Sequence, residues 1–201
     1  MQSEDPIYQT LCDYTKALTV ALGYRDSLTQ QHSERVGNLA EELGIRCGLS
    51  DEDIIILKIA ASFHDIGKIG IPDPVLLKPG AFDEDEWSVM KTHPQIGADI
   101  MLAIELEGAK QAATVIRGHH EHFDGSGYPD GHAGETISLL SRIISIADAY
   151  DAMAMTRSYH RAKPHAEIMG IIHHETGVKF DPELIAIFNE LIETSEHKSV
   201  A

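Results

Sequence analysis

Apolar positions recur along most of the chain with the spacing of amphipathic helices. His32, Val36, Leu39 and Leu43 fall at i, i+4, i+7 and i+11, one face of a helix beginning near Ser27. Residues 6–23 carry a similar pattern and predict an N-terminal helix. Ser50 and Asp53 have the form of a capping box, opening a helix that runs through the isoleucines to His64. That helix is apolar on most sides, which predicts a central, buried position. Asp83 opens another, through Trp87, Met90 and His93 to about Leu102, and a further one runs from Glu107 to His119 and His120. Residues 138–155 form a long apolar helix carrying Asp148 and Asp151. Helices over 164–174 and 182–194 follow, the last with Asp181 as cap and Pro182 in first position. Strand signals are weak and no segment repeats. The pattern predicts an all-α bundle of about seven or more helices. Residues 1–24 form an N-terminal helix or linker stub, 25–195 a single domain, and 196–201 a fraying tail.

At 201 residues and 43% hydrophobic, the chain suits one domain with a full core and no need of disulfides. Cys12 and Cys47 lie in apolar-periodic stretches and read as free, buried thiols of a reducing compartment. The start lacks the basic and apolar regions of a signal peptide, and the longest apolar run is too short to span a bilayer. These features predict a soluble, cytoplasmic protein. The formal net charge of −16 argues against nucleic-acid polymers and anionic membranes as partners. A small anionic substrate stays admissible, because bound cations reverse the field locally.

Twelve histidines change the picture. His64 and Asp65 end the apolar helix, where unpaired polar groups are costly. An orienting ion pair would account for them alone. His32 alone suits a satisfied core histidine, His93 before Pro94 a solvated residue or cap, and Asp148 a buried acid paired with an arginine such as Arg142. His119 and His120 resist such treatment, since adjacent helical residues point about 100° apart and serve one centre only near a helix end. Seven such groups in one small bundle would need a large dedicated network. Five imidazoles and two carboxylates are instead the ligand mixture of Fe, Mn, Ni or Zn. Seven ligands exceed one tetrahedral ion and suit two ions sharing a carboxylate, with Asp65 placed as the natural bridge.

The strings "HDIGKIGIPD", "KPG", "MKTHPQIGADI", "HHEHFDGSGYPDG" and "RIISIADAYDAM" resemble the HD-GYP subgroup of the HD superfamily of metal-dependent phosphohydrolases, from about residue 20 to about residue 190. The resemblance makes residues 25–195 an all-helical HD-GYP domain. It implies a phosphodiesterase opening the cyclic dinucleotide c-di-GMP to linear pGpG and onward to GMP, with cyclic GMP-AMP the substrate of some members. It implies two divalent ions, Fe or Mn foremost. One would be held by His32, His64, Asp65 and Asp148, the other by Asp65, His93, His119 and His120. A hydroxide bridged by the ions would attack phosphorus in line with the departing 3′ oxygen. Where some members carry a glutamate for a third metal, this chain has Leu28. Lys68 matches a lysine near the scissile phosphate, and Arg157 a substrate contact; His160 stands where a basic residue is common. Asp151 matches an acid that contacts substrate or supports the ligands. As a loop lysine alone, Lys68 would merely extend to solvent.

Three glycines and a proline in "DGSGYPDG" allow tight turns and close backbone approach, holding Tyr128 near the mouth as a pocket or partner contact. A surface turn with Tyr128 packed down is the plainer account. The competing function is a receptor or interaction module, binding c-di-GMP or a diguanylate cyclase (GGDEF) domain without turnover, and a homodimer is compatible with either. A general mononucleotide phosphohydrolase is the third reading, disfavoured by the GYP loop.

Overall fold

The computed structural model describes residues 10–11, 16, 18, 20–21, 23–24, 27–106, 108–155 and 161–200, with the backbone alone over 27–30. The described residues of the N-terminal stretch are helical. Then come α1 (Ser27–Arg46), α2 (Asp51–Phe63), a 3₁₀ turn (Ile66–Gly70) and the short α3 (Asp73–Leu76). They are followed by α4 (Glu84–Met90), α5 (His93–Leu102), α6 (Ala109–Arg117), a 3₁₀ turn (Gly134–Thr136), α7 (Leu139–Ala154), α8 (His165–His174) and α9 (Pro182–Ile192). The fold is all-α, as the periodicity predicts; the one bridge among the described residues pairs Thr176 with Phe180.

Helix α1 packs on α2 and α7, and α5 packs on α6 and the first 3₁₀ turn. Their apolar faces meet in a core that includes Leu39, Leu43, Leu57, Ile116, Ile143 and Tyr150, each fully enclosed. The caps follow local chemistry. The Ser50 hydroxyl accepts from the Asp53 N–H (3.1 Å), Asp83 and Glu86 form a reciprocal capping box, and Asp181 accepts from the Glu183 N–H (2.8 Å). Asp181 also binds Arg142, so that arginine is committed to α9 and not to Asp148.

Three expectations change. The helix predicted from Asp83 to Leu102 breaks at Lys91–Thr92, because Pro94 has no N–H to give the Met90 carbonyl and so opens a new helix. The tail is tied down: the Ser199 N–H donates to the Tyr150 hydroxyl (2.9 Å) and its Oγ to the Lys163 carbonyl (2.8 Å). Cys47 is free but only half-buried, since it follows the end of α1; Cys12 lies outside the described residues. Among the described residues no helix is long and apolar enough to cross a membrane.

Candidate metal centre

Three histidines reach the centre by one local device. The last carbonyls of a helix lack partners within it, and a histidine close behind can donate to one. His64 Nδ1 lies 2.7 Å from the Ala61 carbonyl at the end of α2. His93 Nδ1 lies 2.8 Å from the Met90 carbonyl, the group that Pro94 cannot serve. His119 Nδ1 lies 2.6 Å from the Ile116 carbonyl at the end of α6. A carbonyl only accepts, so each Nδ1 carries a proton and each ring turns its Nε2 inward.

Two clusters result. His93, His119 and His120 bring one ligand atom each within 4.8 Å of one another, and so do His32, His64 and Asp148. Asp65 stands between them. Its Oδ1 lies 3.5 Å from His93 Nε2, and its Oδ2 lies 3.5 Å from His64 Nε2 and 2.6 Å from Lys68 Nζ. Asp148 Oδ1 is 3.0 Å from His32 Nε2 and 3.9 Å from His64 Nε2. His119 and His120 follow α6 in a turn, which lets adjacent side chains face one centre.

The donor set fits cations. His93 Nε2 and His119 Nε2 face each other at 3.4 Å. With both protons held on Nδ1, two lone pairs oppose one another there, which only a positive charge between them relieves. His64 Nε2 is buried without a hydrogen-bond partner. Burial pushes His93 down to about 4 and, with His64 beside it, His119 down to about 3, so both rings are neutral near pH 7. Burial and then His119 hold His120 well below the usual imidazole range. Burial opposes the charge on Asp65 and Asp148, but Lys68 and His64 outweigh it at Asp65, and His32 outweighs it at Asp148. Both acids are therefore carboxylates. These are the protonation states that metal ligation requires.

His32 is set differently. Its Nδ1 lies 2.6 Å from Asp151 Oδ2, and Arg35 grips the same carboxylate through Nε (2.6 Å) and Nη2 (3.0 Å). Burial lowers the His32 pKa, yet the hydrogen bonds to Asp148 and Asp151 outweigh it and push the ring up to about 9. Asp151 is 6% exposed with both oxygens engaged, which suits it to orienting His32 and not to touching substrate. Arg35 escaped the sequence reading, although it lies three residues beyond His32 on the same helix, close enough to share a partner.

Two close approaches fix the surrounding backbone. A Cβ on Gly67 would fall 1.9 Å from the His93 carbonyl oxygen, so α5 can lie on the turn carrying Lys68 only if residue 67 is glycine. A Cβ on Gly127 would fall 2.2 Å from the His122 nitrogen and 2.5 Å from the His120 oxygen. This contact lays the 127–130 loop against the double histidine, where the Tyr128 N–H donates to the His120 carbonyl (3.1 Å). The Tyr128 ring then rests on the His120 ring, centroids 4.9 Å apart. Glu121, also missed by the sequence reading, is buried and accepts from the Asp130 N–H (2.7 Å), while Arg117 clamps the Asp130 carboxylate. The "HHE" string placed Glu121 beside the histidines, but no periodicity marks an acid as a loop anchor. Arg157 and His160 lie outside the described residues, and so does the Leu28 side chain.

Comparison with known proteins agrees with this architecture. A family model described as HD domain matches residues 17–184. The cyclic di-GMP phosphodiesterase response regulator RpfG of Xanthomonas campestris is 41% identical, over 84% of this chain and 44% of that protein. A cyclic di-GMP phosphodiesterase of Thermotoga maritima is 37% identical, over 94% of this chain and 50% of that protein. The 3'3'-cGAMP-specific phosphodiesterase 3 of Vibrio cholerae is 35% identical, over 89% and 39%. The chain thus spans half or less of these relatives' length. A solved HDG"Y"P protein of Bdellovibrio bacteriovorus, Bd1817, superposes with a TM-score of 0.67 at 18% identity, over 94% of this chain and 66% of that one. With matching sequence, shared fold and the His64–Asp65 doublet at its centre, the chain belongs to the HD domain family.

Proposed function

We propose that the chain is a metal-dependent phosphodiesterase that hydrolyses c-di-GMP to pGpG, with GMP as a further product. The observation that carries this reading is Asp65 set between two clusters of inward-turned histidine nitrogens, one carboxylate oxygen toward each. His32, His64, Asp65 and Asp148 would hold one divalent ion, and Asp65, His93, His119 and His120 the other, with Fe or Mn the leading candidates and Ni or Zn suited to the same donors. When bound, such a pair supplies an acidified water and neutralises charge on a phosphodiester. The names of the similar proteins support a cyclic dinucleotide as substrate.

The chain's own groups complete the chemistry. Lys68 holds its ammonium 2.6 Å from Asp65 with a fifth of its side chain open to solvent, so it can turn toward a phosphoryl oxygen without losing its charge partner. Asp151 and Arg35 hold the His32 proton on Nδ1. Tyr128 closes one wall against His120, where burial pushes its hydroxyl pKa up and keeps the phenol neutral. The free Cys47 thiol supports a cytoplasmic location.

Anaerobically purified protein, supplied with Fe(II) or Mn(II) and analysed for metal, should convert c-di-GMP to pGpG, followed by chromatography. A fully metallated sample that binds c-di-GMP but makes no product would reject the enzyme in favour of a receptor. Mononucleotide and linear dinucleotide substrates run in parallel separate a general phosphohydrolase.

A further inference from the structure

A run of aromatic rings leads outward from the metal centre. Tyr128 lies against His120, Trp87 meets Tyr128 edge-on at 6.1 Å between centroids, and Phe82 stacks on Trp87 at 6.1 Å with the planes 20° apart. Trp87 remains 44% exposed, although Met90, one turn further along α4, is buried. Phe82 stacks along the indole and Tyr128 meets it edge-on, and 44% of the residue stays open to solvent. The same short helix begins with Glu84, Asp85 and Glu86, of which Glu86 is paired with Lys78. An acidic first turn disfavours a phosphate at this end. A broad aromatic surface beside it favours a flat, uncharged ring.

We infer that Trp87 is a stacking platform for one purine of a cyclic dinucleotide, backed by Phe82 and braced by Tyr128. This rests on the proposed phosphodiesterase function and adds the residue that grips the base. The phosphodiester takes the inner position, at Lys68 and the two clusters, and the base takes the rim. Stacking of this kind tolerates any base, so Trp87 contributes affinity for dinucleotides over base-free phosphates more than choice among purines.

Trp87 is the single tryptophan of the chain, so its emission reports on this position alone. The test uses Mn(II)-loaded protein and the bisphosphorothioate analogue of c-di-GMP, which resists hydrolysis. Equilibrium dialysis measures binding and fluorescence reads the indole. The expected result is saturable quenching whose midpoint matches the dialysis isotherm, with no quenching by inorganic phosphate. Trp87→Ala should raise the Kd about tenfold or more, and Trp87→Phe, which keeps an aromatic face, by less than about threefold. Binding without quenching, or a Trp87→Ala variant as tight as the parent, overturns the platform while leaving the phosphodiesterase reading intact. No binding of the analogue by dialysis overturns that reading and the platform with it.

Discussion

The Asp65 carboxylate offers one oxygen to His93 and the other to His64 and Lys68, so its removal acts on both clusters at once. Asp65→Ala should lose both ions and turnover together, read by metal analysis alongside product formation; retention of two ions would reject the shared carboxylate. Lys68→Ala should keep both ions and lower kcat by about a hundredfold or more, since it removes only a charge poised for the phosphoryl group. Asp151→Asn keeps an acceptor for His32 but gives up the charge that Arg35 holds. Its metal affinity should fall by roughly ten- to a hundredfold in a chelator competition. The residue types alone made the ligand candidates readable, because neutral imidazoles and acids on apolar helix faces are conspicuous. The role of Asp151 was not readable, since substrate contact and support of His32 demand the same side chain.

At the scale of elements, five of the seven ligand candidates sit at helix ends, while His32 and Asp148 lie within α1 and α7. Gly67 lets α5 descend onto the Lys68 turn, and Gly67→Ala would force a methyl into the His93 carbonyl. Overpacking of this sort costs about 1–3 kcal/mol. Because the turn carries Lys68 and α5 carries His93, metal loading should fall along with the denaturation midpoint. Both are measurable on one preparation, and a variant with unchanged midpoint would show that the two elements can part freely. The helices themselves were largely legible: the caps at Ser50, Asp83 and Asp181 and the apolar stripes set their starts. The break at Lys91–Thr92 was missed because a proline in a first helical turn and one inside a continuing helix look alike until a second start is suspected. The pairing of histidine Nδ1 atoms with helix-end carbonyls was hidden for another reason, since it depends on side-chain direction and not on spacing.

For the whole molecule, the titrating groups oppose one another when metal is stripped. His93 and His119 have folded pKa values of about 4 and 3 against an ordinary 6.5, so the unfolded chain binds more protons in that interval. Their contribution is present above pH 6.5 and is lost as pH falls toward 4. His32, raised to about 9, acts the other way: its contribution is full below 6.5 and fades as pH climbs through 9. Chelated protein should therefore resist urea best near neutrality, with the midpoint dropping on either side and more steeply toward acid, where two rings act together. Metal-loaded protein should lose the alkaline decline, because His32 then holds no second proton.

Three of the five imidazoles are steered by peptide carbonyls and not by whatever they grip. A cavity organised this way outlasts its cargo. Unlike small domains that collapse when a structural zinc leaves, this chain should keep its circular-dichroism helicity through exhaustive chelation and refill without a refolding lag. Cellular supply, and not chain stability, would then decide how many molecules are switched on.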